Sequence, residues 1–239
     1  MKNFIGFTEA HELTVSSVPR AGTEPLALDR LTGRICSEDI VSMVDCPSVD
    51  SSLKDGYAVI SSDLKEGSAE NLIRLNVTGQ VIAGSSSKLA ISNGQAIQIT
   101  TGAPIPKGAN AVLSSEFCHR RGDDIYCFNT AEPGRNIFRK GGDIRAGETI
   151  ASKDDVLSPA LIGLLASGGL EKVRVYKSPR VAVIATGDEV VAPGAPLAEG
   201  KLYASNMVEI CSWLSLFGLS FRTRLVADSR EEIESTILE

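Results

Sequence analysis

The sequence predicts a multi-domain α/β protein, and three observations carry that prediction. Its 239 residues can bury a sizeable core and exceed the usual size of one domain. Between residues 41 and 150, short β-prone runs alternate with Gly, Ser, Asn and Asp at close spacing, the pattern of a small β-rich, barrel-like domain. Beyond residue 179, a nearly continuous apolar run is followed by a helix, a strand and a helix, the pattern of an open α/β sheet.

Each element follows from local chemistry. Residues 1–40 read as helix and connector, and Glu24-Pro25-Leu26-Ala27-Leu28-Asp29-Arg30-Leu31 predicts a short helix opened by proline and ended at Gly33. The β-prone runs fall at 57–60, 72–77, 96–99, 111–114 and 125–128. Residues 79–84 with Ser85-Ser86-Ser87 read as a strand and turn, because apolar residues alternate on either side. Residues 157–168 return to helix: Ser158-Pro159 puts proline in the first turn, and Leu161, Leu164 and Leu165 share a face. A strand follows at 172–176.

Arg180-Val181-Ala182-Val183-Ile184-Ala185 suits a strand buried on both faces. A proline- and glycine-rich excursion spans 193–200. The next helix is expected at 207–217, with Asn206 as N-cap and Glu209 three residues on. Its Trp213, beside Leu214 and near Phe217, reads as packing. A strand at 221–226 and a helix at 230–238 close the chain. An open α/β domain usually has about five or six strands. This last domain is therefore expected to be incomplete: the chain was cut, or the protein continues, or a partner completes it.

Composition excludes several function classes. A formal net charge of −6 argues against a general nucleic-acid binder. No apolar run reaches the length of a membrane span, and the N-terminus turns polar too early for a signal peptide. A cytoplasmic location is the expectation. The five cysteines, Cys36, Cys46, Cys118, Cys127 and Cys211, are widely spaced without Cys-x-x-Cys, which suits reduced thiols better than a disulfide framework or zinc site. The adjacent Cys118-His119 reads as a strand-end Cys and a surface His. With only His11 and His119, a His-based metal site or catalytic triad has little material.

Chemistry concentrates in four loops. Thr100-Thr101-Gly102-Ala103-Pro104-Ile105-Pro106-Lys107-Gly108-Ala109-Asn110-Ala111-Val112 joins a hydroxyl pair, a Gly-Ala turn and two prolines before an apolar strand. Such a loop either holds backbone N–H groups and a hydroxyl against an anionic ligand or is a stiff turn. The others are Asp50-Ser51-Ser52-Leu53-Lys54-Asp55-Gly56-Tyr57-Ala58, Gly141-Gly142-Asp143-Ile144-Arg145-Ala146-Gly147 and Thr186-Gly187-Asp188-Glu189. Arg135, Arg139, Lys140 and Arg145 surround the third; they either attract an oxyanion or form a solvated basic face. Thr186 and Gly187 follow the apolar strand, where open α/β sheets place ligands.

In this order the four motifs resemble the molybdopterin molybdenumtransferase family, gephyrin E-domain-like members included. Leu31-Thr32-Gly33-Arg34-Ile35-Cys36-Ser37-Glu38-Asp39-Ile40 is also family-like, and the likeness runs over essentially the whole chain to Asp228. The resemblance implies insertion of molybdate into the dithiolene of adenylylated molybdopterin with release of AMP, a pterin substrate, Mg2+, a homodimer and a molybdopterin adenylyltransferase partner. It implies a linker domain (1–40 and 147–178), a β-rich insert (41–146) and a partial molybdopterin-binding-like α/β domain (179–239). Asp55, Thr101, Asp143, Glu189 and Asp228 match catalytic positions. Asp55, Asp143, Glu189 and Asp228 also match the cation-binding carboxylates, while Gly102, Thr186, Gly187 and Asp188 would bind the cofactor substrate. Carboxylates of this kind hold a hard cation that bridges phosphate oxygens; the alternative for each is a turn or cap carboxylate, a type common beside glycine.

Two departures are visible. The family's first motif reads Asp-Asn-Ser-Ala-Met-Asp-Gly-Tyr, whereas Lys54 here replaces Met; it would lower the Asp55 pKa, compete with metal, or point outward. The third motif has Gly142 where the family has Glu. The later pterin loop and last domain are missing, so this chain alone is expected to be inactive or weakly active. A non-catalytic molybdopterin- or oxyanion-binding paralogue, or a scaffold, is the competing reading.

Overall fold

A computed structural model describes residues 5–85 and 88–239. Residues 1–4 of the N-terminal reading, and Ser86 and Ser87 of the expected turn, lie outside the described residues. The chain divides into two compact units: Ile40–Ala151 with Gly163–Glu171, and Met1–Asp39 with Ser152–Ile162 and Lys172–Glu239.

The first unit is β-rich, as the spacing of its turn residues predicts. A curled six-stranded sheet runs in spatial order Ala111–Ser114, Gly56–Val59, Gln95–Ile99, Ile73–Val81, Asp124–Cys127, Cys118–Arg121. All neighbours are antiparallel except Ile73–Val81 with Gln95–Ile99. Side chains alternate between two apolar clusters: Tyr57, Val59 and Leu113 join one, Ala58, Val112 and Ile97 the other. Burial of a Leu or Ile of this kind is worth about 1.5–3 kcal/mol. The expected strand at 79–84 is the end of Ile73–Val81, bent by a register shift between Val77 and Gln80, and then a turn. Cys118–Arg121 was not legible: its Cys-His-Arg-Arg sequence is polar because the strand is an exposed edge.

Gly56 has a specific reason to be glycine. A Cβ there would lie 2.1 Å from the Leu113 carbonyl oxygen and 2.9 Å from Ser114 Cα. The strands Gly56–Val59 and Ala111–Ser114 approach too closely for any side chain at this point.

The second unit corrects three predictions. Thr23–Ala27 is a strand, antiparallel to Lys172–Tyr176, and only Leu28–Arg30 turns, as a 3-10 helix. A proline suits a helix start, but it also suits a two-stranded ribbon, where each strand is an edge. The ladder from Thr23↔Tyr176 to Ala27↔Lys172 decides for strand, a partnership invisible in local sequence. The N-terminal helix spans Phe7–Ser17.

Downstream, Val181–Thr186 lies parallel to Phe221–Val226, in register from Val181↔Phe221 to Thr186↔Val226. Helix Ser205–Leu216 connects them, and helix Arg230–Leu238 follows with Ser229 Oγ accepting the Glu232 amide at 3.4 Å. The apolar run is not buried on both faces: Val183 is buried and its neighbours are partly or fully exposed, because this sheet has two strands. Nor does Asn206 cap the central helix. The parallel ladder of Val190–Val191 with Leu202–Tyr203 delivers the chain earlier, at Ala204, whose N–H reaches the Val191 carbonyl at 3.0 Å. Ala204 becomes the N-cap without a side-chain bond, and Asn206 sits in the first turn. Trp213 is 54% exposed and stacks on Phe217, with ring centroids 6.0 Å apart, so its packing is local to the helix surface.

Candidate functional site

In the β-rich unit, the first two motifs are stitched together by backbone. Ser52 N donates to Ala103 O at 2.9 Å, Gly102 N to Ser52 O at 2.8 Å, and Ile105 N to Asp50 O at 2.9 Å. Gly102 takes the left-handed conformation at φ +79° that the turn requires. Ala103 and Pro106 are buried, so the loop is anchored by its apolar residues while Thr101 and Gly102 face solvent.

This stitching brings Thr101 to Asp55. The Thr101 amide donates to Asp55 Oδ1 at 2.7 Å and its hydroxyl to the same oxygen at 3.0 Å. Those two bonds, the amide first, hold the Asp55 carboxyl below the usual aspartate range, against a small opposing effect of desolvation. Asp55 is an exposed carboxylate whose Oδ2 has no hydrogen-bond partner among the described residues. Lys54 is exposed and is not among the causes of that shift. Thr101 spends its hydroxyl proton on Asp55, so it offers a ligand a lone pair.

The third motif is placed by two aspartates that sequence reasoning did not single out. Asp50 accepts Arg139 Nη1 at 2.6 Å and the Lys140 amide at 2.8 Å. Asp45 accepts the Ala146 amide at 2.9 Å and lies 3.1 Å from Lys140 Nζ. Each carboxyl is held low chiefly by its backbone amide, with the cation adding to it. The only sequence signal was adjacency to the motifs, because both partners are about 90 to 100 residues away in sequence. Arg139 and Lys140 are thereby occupied, and Arg135 donates to Thr130 O and lies 5.4 Å over the Phe117 ring. Asp143 is exposed, and its amide donates to Cys46 O at 2.9 Å. A Cβ on Gly142 would lie 2.5 Å from Phe138 Cε2 and 2.9 Å from Arg139 O, so the Phe138 ring fills the space a side chain needs.

In the α/β unit, the fourth motif and Asp228 meet at the carboxyl ends of the two parallel strands, where such sheets bind ligands. Gly187 N donates to Val226 O at 3.2 Å, and Asp228 N donates to Asp188 Oδ1 at 3.1 Å. Gly187 has φ +136°, and a Cβ there would lie 2.7 Å from Glu189 Oε2, so the Glu189 carboxylate folds back over the glycine. Lys201 Nζ donates to Asp188 O at 2.6 Å. A cleft of 240 Å³ opens beside Thr186, lined also by Tyr203, Ser205, Asn206 and Met207. A larger one, 410 Å³, reaches Arg180, Phe221 and Arg222 toward the amino end of the same strands, away from every motif residue.

The structure thus gathers Asp55, Thr101 and Gly102 in one unit, with Asp143 on a separate loop of that unit. Thr186, Gly187, Asp188, Glu189 and Asp228 gather in the other unit. Among the described residues no three His, Cys, Asp or Glu side chains form a metal-binding group.

Comparison with known proteins agrees with the motif order. Residues 5–169 match the family described as the MoeA N-terminal region (domain I and II). The chain is 38% identical over 185 residues to the molybdopterin molybdenumtransferase of Haemophilus influenzae, covering 77% of this chain and 45% of that protein. It is 34% identical over 206 residues to molybdopterin molybdenumtransferase 2 of Mycobacterium tuberculosis, covering 85% and 51%. The chain therefore spans about half the length of these curated relatives. A crystal structure of the molybdopterin biosynthesis moeA protein from Pyrococcus horikoshii OT3 superimposes with a TM-score of 0.85 at 32% identity, covering 99% of this chain and 63% of that one. On this evidence the chain belongs to the MoeA N-terminal family.

Proposed function

We propose that this chain is the N-terminal part of a molybdopterin molybdenumtransferase, acting in molybdenum cofactor biosynthesis by inserting molybdate into adenylylated molybdopterin with release of AMP. The observation that carries the reading is the Asp55–Thr101 pair: an ionised, exposed carboxylate with one oxygen fixed by a rigid loop and one free. Charge control of this kind suits cleavage of a phosphate anhydride, which needs a screened leaving group more than a strong nucleophile. Asp143, Glu189 and Asp228 supply further carboxylates, and Thr186, Gly187 and Asp188 line the strand ends where a pterin or phosphate edge would sit.

Carboxylate oxygens suit Mg2+, so Asp55 and Asp143 in the β-rich unit and, separately, Glu189 and Asp228 in the α/β unit are the candidate ligands, although among the described residues no three of them form a ready-made cage. Bound there, the cation would neutralise phosphate charge and steady departing AMP. The reading extends to a homodimer, an adenylyltransferase partner that supplies the substrate, and a cytoplasmic location. Among the described residues no helix is long and apolar enough to cross a membrane. It also keeps the division into a segmented linker (1–40, 147–178), a β-rich insert (41–146) and a partial α/β domain (179–239).

The test is AMP release from adenylylated molybdopterin with molybdate and magnesium, using the longest protein that contains this chain. Release abolished by Asp55→Ala supports the reading. A folded protein that binds the pterin but releases no AMP would sink it. That outcome would favour a non-catalytic binder, a second reading that Gly142, closed off by Phe138, specifically recommends.

A further inference from the structure

Two of the five cysteines meet. Cys118 and Cys127 oppose each other directly across the strands Cys118–Arg121 and Asp124–Cys127, with sulfurs 3.6 Å apart. The neighbouring Phe128 amide donates to Phe117 O at 3.1 Å, which makes 117/128 the hydrogen-bonded pair and 118/127 the non-hydrogen-bonded one. Such pairs bring Cα atoms to about 4.5 Å, within the span of about 4.4–6.8 Å that a disulfide bridges. We propose that Cys118 and Cys127 are a dithiol modification site that closes to an intramolecular disulfide by exchange with a small-molecule disulfide.

Access sets the order of this chemistry, against the hydrogen bond to Cys127 and the desolvation that hold the Cys118 thiol above its ordinary range. Cys118–Arg121 is the outermost strand of the sheet, and Cys118 is partly exposed, whereas Cys127 is fully buried in the apolar cluster with Leu75 and Ile125. Reagent therefore reaches Cys118 first, and Cys127 lies behind it as the resolving thiol. Among the described residues the one backbone hydrogen bond of Cys118 Sγ is a 4.0 Å approach to Ser114 O, so closure gives up little. His119 faces away and stacks on Phe128 with centroids 4.9 Å apart, so it adds no third ligand for a metal. The disulfide spans adjacent strands already in register, and bond formation needs side-chain rotation to bring the sulfurs to about 2.05 Å.

The step balances in two displacements. The Cys118 sulfur attacks the small-molecule disulfide, one thiolate leaves, and a mixed disulfide forms. The Cys127 sulfur then attacks Cys118 Sγ and expels the second thiolate. The two thiol protons pass to the two leaving thiolates; the cysteines lose two electrons and the reagent gains them.

The experiment equilibrates the folded, reduced protein with oxidised glutathione, quenches in acid, alkylates after denaturation, and maps cysteines by mass spectrometry. The expected result is a peptide pair linked through Cys118 and Cys127 and lighter by two hydrogens, with Cys36, Cys46 and Cys211 alkylated. In Cys127→Ser the same treatment should leave a stable glutathione adduct on Cys118. Alkylation of both cysteines, a persistent adduct on Cys118 in the unsubstituted protein, or a link from Cys118 to another cysteine would overturn the proposal. None of these outcomes bears on the transferase reading.

Discussion

Asp50 and Arg139, 89 residues apart in sequence, form a 2.6 Å ion pair, and the next amide, Lys140, adds a bond to the other Asp50 oxygen. Asp50 thus ties the first motif to the loop that carries Asp143. Asp50→Ala removes both bonds. The pair is partly exposed, so solvent screening limits the ionic part, and the amide bond to a charged acceptor dominates. A loss of about 1–2 kcal/mol is expected, with faster hydrogen exchange at the Lys140 amide. An unchanged exchange rate there would contradict the tie.

Acid should loosen the same region before it unfolds the core. Asp45, Asp50 and Asp55 all have carboxyl groups held below the ordinary range by hydrogen bonds. A depressed folded pKa contributes stability that is fully present above the unfolded value of about 3.9 and is lost as pH falls through the folded one. NMR titration of the three carboxyls should give midpoints below that of a free aspartate. Thr101→Val should raise the Asp55 midpoint alone, without restoring it fully, because the backbone bond remains.

Restoring the family residue at position 142 should cost stability here. Gly142→Glu pushes a Cβ into the Phe138 ring and the Arg139 carbonyl, for an expected loss of about 1–3 kcal/mol. Adding Phe138→Ala should recover part of the thermal midpoint relative to Gly142→Glu alone. Additive losses from the two changes would show that the ring is not the obstacle.

Gly56→Ala should be the most damaging small substitution in the β-rich unit. The new methyl meets the backbone carbonyl of Leu113 on the paired edge strand Ala111–Ser114, where no flexible side chain can yield. The expected loss is at least about 3 kcal/mol, read from chemical denaturation. A near-native midpoint would mean the two strands separate easily.

Local chemistry by itself determined much of this protein. Strands at 111–114, 172–176 and 221–226 and the helix at 230–238 follow from β-branched runs, alternation and punctuation, and the structure has them at those bounds. The loops that carry Asp55 and Thr101 were legible from their glycines and prolines, and the structure joins the two residues by hydrogen bonds. Tertiary structure alone decided the rest. Thr23–Ala27 is a strand because Lys172–Tyr176 offers it a ladder, against a helix-like local pattern. Asp45 and Asp50 acquired their roles from amides 90 to 101 residues away. The apolar strand 181–186 has exposed positions because its sheet contains one other strand, a matter of neighbours rather than composition. Local sequence sets backbone preferences worth tenths to about 1 kcal/mol per residue, whereas a paired strand or a charged hydrogen bond contributes as much or more from any distance along the chain.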